Sequence, residues 1–385
     1  MISRLTVSNY RSLGPNVVVD LGRLTALVGP NGCGKSNVAD ALQFVAESMS
    51  LGLEAAVTKR HGIAALRRWG AGRPFDLTIR IELRDPGASY EFTLTSDRAE
   101  EYRVKHEAAE FLVSPLAQSL RFEVSDGRWT DGPAGLMPPV APGSLALPLI
   151  AGDERFRPLA DHLRAIQIYS IFPDTLREPQ KPDLTRPMQR HGENWCAILK
   201  GLRDEPSASE LRSVLGRLTG DIDDFRAKQV GGFLVAEFRH AQDGEDTRAK
   251  RREKWFDAAQ ESDGTLRVAG IVTALLQEPP LTLVGVEEPE LTVHVGALPL
   301  LYDYLVEASA RSQVLITTHS PELLDRFDVD DVRVVSRGDG VTTVTPMDPR
   351  QRAAVKERLL TLGELVKMEG LHQGDPTIAA GAQGS

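Results

Sequence analysis

Residues 29–37 have the types and spacing of a phosphate-binding loop, called the phosphate loop below. They are Gly29, Pro30, Asn31, Gly32, Cys33, Gly34, Lys35, Ser36 and Asn37. An apolar run precedes this G-x-x-x-x-G-K-S pattern and apolar residues follow at helical spacing, so it predicts a strand, a loop and a helix. The glycines let backbone N–H groups cradle phosphates, Lys35 would reach the β- and γ-phosphates, and the Ser36 hydroxyl would ligate Mg²⁺. A glycine turn without a nucleotide is the alternative, and the flanking context disfavours it.

Two adjacent carboxylates follow a second apolar run. Residues 281–286 predict a buried strand, and Glu287 and Glu288 come directly after it. Carboxylates at the C-terminal end of such a strand are well placed beside a bound triphosphate. Glu287 is predicted to act in the outer coordination sphere of Mg²⁺, and Glu288 to polarise the attacking water. Without the phosphate loop, a strand followed by a solvated acidic loop would be the better interpretation.

A histidine follows a third apolar run, at residues 314–317. His319 precedes Ser320 and Pro321, which suit the N-cap and first position of a helix. A histidine at such a strand end can donate a hydrogen bond to a γ-phosphate and so distinguish ATP from ADP. Lone histidines are more often structural, but the spacing from Glu288 favours the functional role.

Small and hydroxyl residues open a helix at 262–265. They are Ser262, Asp263, Gly264 and Thr265, and apolar residues follow at helical spacing up to Leu276. The N-terminus of a helix with such residues is an anion site. One nucleotide already has its phosphates in the phosphate loop, so a second anion site implies that two chains share each nucleotide. Standing alone, the segment would be better interpreted as an ordinary N-capped helix.

In this order the motifs resemble ABC-type ATPase heads of the SMC/RecF/OLD branch, most closely the compact stand-alone ATPases related to the OLD (overcoming lysogenisation defect) nucleases. Residues 5–13 match the first strand of that family and its N-Y/F-R-S turn, whose arginine commonly approaches the nucleotide, so Arg11 is a candidate phosphate contact. The resemblance implies an α/β head with a mixed sheet, a phosphate-loop helix, an antiparallel β layer and an inserted helical subdomain. It also implies ATP and Mg²⁺ as cofactors, and residues 262–265 as the signature, which closes over the γ-phosphate held by another subunit.

The chain departs from the family pattern at three positions, the first being Glu287, where the family usually has an aspartate. Glu261 stands where the signature usually begins with leucine, which puts the strength of the signature in doubt, and Val295 replaces the proline that tends to follow His294. Residues 169–177, 191–194 and 362–365 also match family segments, without an assigned mechanism. Gln167 and Gln180 are both candidates for the glutamine that couples the nucleotide state to the inserted subdomain.

Periodicity and motif positions predict four regions. They are a first ATPase lobe at 1–172, a helical cap at 173–228, a second ATPase lobe at 229–347, and a C-terminal helix with a loose tail at 348–385. Strands at 75–83, 90–95, 101–113 and 120–124 would form the antiparallel layer. Residues 132–152 carry no charge over a membrane-spanning length, but their prolines exclude a spanning helix and favour a surface loop or lid.

Composition limits the class of protein. The chain has 385 residues and a formal net charge of −9, which argues against a uniformly basic DNA-binding surface. Two basic runs leave DNA contact open, one formed by Arg248, Lys250, Arg251, Arg252 and Lys254 and the other by Lys59, Arg60, Arg67, Arg68 and Arg73. Because there are only two cysteines and no secretory signal pattern, we expect a cytoplasmic protein without a membrane segment.

Three functions are compatible with these observations. We favour a Mg²⁺-dependent ATPase whose ATP-sandwiched homodimer, or higher even-numbered oligomer, controls a separately encoded nuclease or Toprim-like effector in phage defence or a toxin-like system. The residues after His319 are too few for a Toprim domain, and Asp328, Asp330 and Asp331 are expected to flank a strand rather than bind metal. The alternatives are a DNA-repair head that binds DNA directly and a nucleotide-gated scaffold with little turnover.

Overall fold

The structure is a computed structural model that describes residues 1–374 except 69–74, 86, 96–97, 99, 112–119, 134, 184, 204–205 and 242–253. Its strands are β1 Ile2–Ser8, β2 Val17–Asp20, β3 Leu24–Val28, β4 Leu77–Leu83, β5 Ala88–Thr95, β6 Arg103–Phe111, β7 Leu120–Ser125, β8 Arg128–Asp131, β9 Ile166–Tyr169, β10 Ile222–Val230, β11 Phe233–His240, β12 Trp255–Asp257, β13 Leu283–Glu287, β14 Gln313–Thr318, β15 Val332–Gly338 and β16 Val341–Thr345. Its helices are α1 Lys35–Ser50, α2 Leu53–Thr58, α3 Ile63–Leu66, α4 Leu147–Ile150, α5 Arg157–Arg164, α6 Pro173–Arg177, α7 Trp195–Leu202, α8 Ser207–Thr219, α9 Asp263–Leu276, α10 Leu298–Ala308, α11 Pro321–Leu324, α12 Pro349–Lys356 and α13 Leu362–Met368.

The chain forms two compact units. Unit one contains residues 1–166 and the chain from 327 onward, and unit two contains residues 167–326. The predicted α/β class is confirmed. The four predicted regions rest on motifs rather than on packing, and they stay a prediction.

Unit one contains an antiparallel sheet in the order β2-β1-β4-β5-β6-β7-β8. Alternate residues of β4 are buried, as expected for a strand with one face on the core. The predicted strands of the antiparallel layer correspond to β4, β5, β6 and β7, although the last two residues of the predicted segment 101–113 lie outside the described residues. This layer of the predicted architecture is therefore confirmed.

A second group of strands in unit one positions the phosphate loop. β3 pairs in parallel with β15, which pairs antiparallel with β16. Every residue of β3 is buried, and α1 begins at Lys35, so the predicted strand, loop and helix all form. Ahead of β15, Asp328 accepts a hydrogen bond from the backbone of Asp330, which pairs with Lys356 at 2.8 Å. These aspartates directly precede β15, and among the described residues no group of side chains is found that could hold a metal ion.

The proline-rich segment 132–152 differs from the predicted surface loop or lid. Its C-terminal part contains α4, and Leu145, Ala146, Leu147 and Ile150 are buried in unit one. The reason is a contact that is distant in sequence, because the carboxylate of Glu107 accepts hydrogen bonds from the backbone N–H groups of Ala146 and Leu147. No helix in the described part of the chain is long and apolar enough to cross a membrane.

Glu107 is expected to make the stability of unit one depend on pH. The residue is fully buried, and burial raises the pKa of its carboxyl to about 7, despite hydrogen bonds from the two backbone groups and from Tyr90. As pH rises from about 4.5 to about 7, the unfolded chain ionises first, so wild-type stability falls by about 3 kcal/mol and then levels off. Glu107→Gln should lack this loss. Urea unfolding of both proteins at several pH values measures it, and a stability difference independent of pH would contradict the expectation.

The C-terminal segment differs from its prediction as a single helix. Residues 349–367 form two helices, α12 and α13. Thr361 begins α13 with a capping box, because its side chain accepts from the backbone of Glu364 while the Glu364 side chain accepts from the backbone of Thr361. Because the capping box starts a new helix at Thr361, the segment does not continue as one helix.

Unit two combines a parallel strand pair with an antiparallel sheet. β13 pairs in parallel with β14 and has β9 on its other side, while β10, β11 and β12 form the antiparallel sheet. Trp195 of α7 is fully buried and donates a hydrogen bond to Thr273 of α9 at 3.1 Å. The region predicted as a helical cap contains α6, α7, α8 and the beginning of β10. Because Glu287 of β13 lies opposite Thr317 of β14, the residues that follow these strands emerge at one edge.

Candidate active site

The phosphate loop in unit one has the backbone geometry that its glycines permit. Gly32 and Gly34 have φ angles of +76° and +109°, in the region that favours glycine. A Cβ atom on Gly34 would lie 2.3 Å from the hydroxyl oxygen of Thr342, so a side chain does not fit there. Gly34 is also the N-cap of α1 and offers no capping side chain, which leaves N–H groups at the helix start available for an anion.

Lys35 turns back onto the phosphate loop. Its ammonium group donates hydrogen bonds to the carbonyl oxygens of Gly29, at 2.7 Å, and Pro30, at 3.2 Å. Ser36, at the next position, is exposed. A cation over the loop, an uncapped helix N-terminus and an exposed hydroxyl are the groups that a Mg²⁺-bound triphosphate requires, so these residues fit ATP and its metal.

A chain of polar contacts supports the back of the phosphate loop. The side-chain amide of Asn37 donates to the hydroxyl of Ser12 at 2.6 Å, and this hydroxyl lies 2.7 Å from that of Thr342. Thr342 donates to the carbonyl oxygen of Cys33 at 2.7 Å, and the Cys33 side chain is buried. Asn37 and Cys33 therefore anchor the phosphate loop. Their partners are distant in the sequence, because Ser12 lies 25 residues from Asn37 and Thr342 lies 309 residues from Cys33.

Arg11 lies on a turn with φ of +51° and pairs with Asp40 of α1 at 3.0 Å. Asp40 also accepts a hydrogen bond from the hydroxyl of Tyr10 at 2.6 Å and pairs with the buried Arg60 at 2.8 Å. Burial alone would raise the pKa of Asp40, but its bonds with Arg60 lower it. Arg11 is thus fixed to the phosphate-loop helix, and its contact with a phosphate stays a prediction.

Two arginines of the basic run at 59–73 are not available at the surface. Arg60 and Arg67 are buried, and Lys59 pairs with Glu47 at 3.1 Å. Arg73 and residues 248–252 of the other run lie outside the described residues. The Asp40–Arg60 contact was not foreseen, although a charged residue on the apolar side of the predicted helix was a signal for it.

In unit two, Glu287 and Glu288 differ in exposure and partner. The side chain of Glu287 is buried and accepts a hydrogen bond from Arg190 at 2.6 Å. Glu288 has φ of +46°, an uncommon conformation for a residue with a side chain. Its N–H donates to the carbonyl oxygen of Thr317 at 2.9 Å, and its carbonyl oxygen accepts from Arg267 at 2.8 Å. This turn separates a buried carboxylate from a half-exposed one in two successive residues.

The structure places His319 beside Glu288. Its Nδ1 is 3.5 Å from Oε1 of Glu288 and 3.7 Å from Oε1 of Glu290. The parallel pairing of β13 with β14 brings these groups together, because each follows the C-terminal end of its strand. The arrangement can hold and polarise a water molecule beside a hydrogen-bonding imidazole.

The signature residues open α9 around a cleft of about 430 Å³. Ser262 is the N-cap and accepts a hydrogen bond from the backbone of Thr265 at 3.1 Å. A Cβ atom on Gly264 would lie 2.7 Å from the carbonyl oxygen of Thr292, so the close approach requires glycine. Asp263 forms an ion pair with Arg177, so it is not an unpaired negative charge at the start of this helix. The cleft is lined by Arg217, Leu218, Thr219, Ser262, Gly264, Thr265, Thr292, Val293, His294, Gly296, Ala297 and Leu300.

Glu261, which replaces the usual leucine, has a structural partner. Its side chain is buried and lies 2.8 Å from Nε2 of His240, whose Nδ1 lies 2.7 Å from Asp221. Burial alone would lower the pKa of His240, but hydrogen bonds to Asp221 and Glu261 raise it. Glu261 thus links the start of the signature to β11 through an ion pair instead of an apolar contact.

One of the segments without an assigned mechanism contacts the predicted signature. Arg177 of the segment 169–177 pairs with Asp263 and donates to the carbonyl oxygen of Glu261 at 3.0 Å. Arg190, which donates to Glu287, lies just before the segment 191–194. Gln180 donates to the carbonyl oxygen of Gly192 at 2.7 Å and accepts from the backbone of Cys196. Gln180 is thus hydrogen-bonded to the main chain of unit two, Gln167 lies in β9, and both stay candidates for the coupling glutamine.

The phosphate loop before an uncapped helix and the carboxylates at the end of a parallel strand are features of P-loop nucleoside triphosphatases. Comparison with known families agrees with this class. Residues 1–110 match a family described as "AAA ATPase domain", and residues 142–325 match one described as "AAA domain, putative AbiEii toxin, Type IV TA system". No curated protein sequence matches the chain significantly.

Similar solved structures show the fold of the chain. A SmcHead bound to the C-winged helix domain of ScpA matches with a TM-score of 0.52 and 16% identity, over 92% of this chain and 99% of its own. The Smc head domain of Pyrococcus furiosus, with an extended coiled coil and bound to the C-terminal domain of ScpA, matches with a TM-score of 0.51 and 15% identity, over 93% and 99%. At these identities the likeness shows the fold. The family matches support an ATP-hydrolysing enzyme with AAA-type ATPase domains, and the structural matches show that it has the fold of Smc ATPase heads.

Proposed function

We propose that the chain is a cytoplasmic, Mg²⁺-dependent ATPase that dimerises around ATP and thereby controls a separately encoded effector. The observation that carries the proposal is the cleft at the N-terminus of α9. Ser262, Gly264 and Thr265 line this cleft in unit two. A helix N-terminus with small and hydroxyl residues suits a phosphate, and the phosphate loop already provides for one nucleotide per chain. The phosphate for this cleft is therefore supplied by a second copy.

The roles of the residues follow from their chemistry. The phosphate loop would bind the triphosphate, and Ser36 and Glu287 would hold Mg²⁺ beside it. The metal neutralises charge on the phosphates when it is bound. Glu288 accepts a proton from the attacking water, and His319 donates a hydrogen bond to the γ-phosphate. Arg11 is proposed as a further phosphate contact, which would require its pair with Asp40 to open.

Two comparisons support an effector on a separate chain. The family that matches residues 142–325 is described in terms of a toxin and a type IV toxin–antitoxin system, and both similar Smc heads are bound to domains of a different protein. We therefore place the chain with the compact OLD-related ATPases of phage-defence or toxin-like systems, with a nuclease or Toprim-like protein as effector. Direct DNA binding, the alternative function, has less support because Arg60 and Arg67 are buried.

Shared ATP sites predict complementation between two inactive variants. Lys35→Ala removes the phosphate-loop cation, and Ser262→Arg places a long side chain at the N-terminus of α9. Neither homodimer should hydrolyse ATP, but a mixed dimer has one site made of the intact phosphate loop of the Ser262→Arg chain and the intact signature of the Lys35→Ala chain. We expect mixing to restore up to about a quarter of wild-type turnover, since about half of the dimers would be mixed and each would have one of two sites. Steady-state phosphate release measures it.

The control for complementation is subunit exchange, followed by two affinity tags. In a Glu288→Gln background, ATP and Mg²⁺ should also produce a dimer or a higher even-numbered oligomer by light scattering, and Ser262→Arg should prevent it. If subunits exchange without recovery of activity, or if Ser262→Arg is fully active as a monomer, the shared site is excluded. Stimulation of wild-type turnover by duplex DNA would favour the DNA-repair alternative instead.

A further inference from the structure

Glu290 lies in the turn after β13, two residues beyond Glu288, and has no role in the site described so far. Its side chain is only 7% exposed. Its Oε1 accepts a hydrogen bond from the hydroxyl of Thr318 at 2.6 Å and one from the backbone N–H of His319 at 3.2 Å. Through these two hydrogen bonds, a single carboxylate oxygen connects the turn after β13 to the end of β14.

The second carboxylate oxygen of Glu290 makes the residue unusual. Oε2 is inaccessible to solvent and has no hydrogen-bond partner among the described residues. Burial of a carboxylate with one oxygen unpaired costs free energy, and buried polar groups are normally paired. Such a cost needs a compensating role, and the contacts of Oε1 point to His319.

Glu290 restrains His319 at its backbone and through its neighbours. The Thr318 hydroxyl that donates to Glu290 also accepts from the backbone N–H of Ser320 at 3.1 Å, so the residues on both sides of His319 belong to one hydrogen-bonded turn. The Nδ1 edge of the imidazole faces both Glu288 and Glu290, at 3.5 and 3.7 Å. The backbone of His319 is therefore held while its imidazole lies beside Glu288.

We propose that Glu290 is a positioning residue that holds His319 in register with Glu288 for ATP hydrolysis. The inference rests on the proposed roles of Glu288 and His319. A histidine that must reach a γ-phosphate needs its backbone fixed to within a fraction of an ångström, since small displacements of catalytic groups lower rates strongly. Glu290 does not contact the nucleotide in this mechanism and acts only through His319 and Thr318.

Glu290→Leu tests this role, because leucine removes both acceptors and fits an apolar space of similar size. We expect its kcat for ATP hydrolysis to fall by about tenfold or more, with a KM for ATP within about threefold of wild type, because the phosphate loop is untouched. Glu290→Gln retains one oxygen for Thr318 and His319 and should keep most of the turnover. Glu307→Leu, the same substitution at an exposed position of α10, is the matched control.

A double-mutant cycle separates positioning from general structural support. In a His319→Ala background, Glu290→Leu should lower kcat by less than about twofold, because the side chain that it positions is already gone. Equal losses in both backgrounds would overturn the proposal. A loss that comes from unfolding would appear in both backgrounds and as a lower thermal midpoint, so this outcome also counts against Glu290 as a positioning residue.

Hydrogen exchange supplies a readout that does not depend on turnover. The amide of His319 donates to Glu290, so peptides that cover residues 317–321 should exchange faster in Glu290→Leu and at the wild-type rate in Glu290→Gln. Unchanged protection in Glu290→Leu would overturn the proposal even if kcat falls. If the wild-type chain hydrolyses no ATP, the proposed catalytic roles fail, while the exchange experiment still decides whether Glu290 fixes the His319 turn.

Discussion

Lys35→Ala is expected to abolish ATP binding, with a loss of affinity of about 100-fold or more, equivalent to about 3 kcal/mol. The ammonium group lies over the phosphate loop on the carbonyl oxygens of Gly29 and Pro30, where it can transfer to the β- and γ-phosphates. Alanine removes a charge-assisted contact that no other described lysine of the loop can replace. Titration of a fluorescent ATP analogue at equilibrium measures the effect.

The control for this change is Lys59→Ala. Lys59 lies on the same unit, is more than half exposed and pairs with Glu47 at 3.1 Å, so its removal should leave nucleotide affinity unchanged. Thermal unfolding of both variants separates a binding defect from loss of fold. Affinity of Lys35→Ala within about threefold of wild type, a difference under 1 kcal/mol, would remove Lys35 from its assigned role.

The parts of the candidate site that depend on local spacing could be predicted from the sequence. A phosphate loop needs its glycines, lysine and hydroxyl at fixed offsets, because backbone N–H groups must converge on one phosphate. The structure gives this segment the expected strand, loop and helix, and Gly34 has the positive φ that the loop requires. Glu288 and His319 could also be related, because each follows a run that only a buried strand explains.

The partners of these residues could not be predicted, because they depend on contacts between distant positions. Arg190 and Glu287 are separated by 97 positions, and neither shows from its neighbours that it will pair with the other. The same holds for Glu107, whose carboxylate fixes the backbone of Ala146 and Leu147. Composition assigns the proline-rich segment to the surface, but one buried acceptor for its N–H groups is enough to bring part of it into the core.

The role of a single charged residue could not be predicted for the same reason, because its partner lies at a distant position in the sequence. Arg60 appears in the sequence as one member of a basic run, yet its guanidinium is buried and pairs with Asp40. Glu261 appears as a defect in the signature, yet it is paired with His240. In both residues the sequence gives the charge, but only the tertiary structure gives the partner that determines whether the charge is available to a ligand.

Glu288→Gln should lower the turnover of ATP by about 100-fold or more while ATP binding is retained. General acid–base groups contribute factors of this size, and a neutral amide cannot accept the proton of the attacking water as a carboxylate does. The turn itself should survive, because Glu288 is held by its main chain, whose N–H donates to Thr317 and whose carbonyl oxygen accepts from Arg267. Single-turnover hydrolysis and equilibrium ATP binding, measured on the same preparation, test the two halves of this expectation.

Glu287→Gln is the matched control, since it makes the same chemical change one residue earlier. Glu287 is buried against Arg190, whereas Glu288 is half-exposed beside His319, so the two variants should fail differently. Glu287→Gln should raise the Mg²⁺ concentration needed for activity, and excess Mg²⁺ should recover part of the turnover, whereas it should not rescue Glu288→Gln. Glu287→Gln could instead block hydrolysis at every Mg²⁺ concentration while Glu288→Gln is fully active. The roles of the two carboxylates would then be reversed, and Glu287 would have to release Arg190 in order to polarise the water.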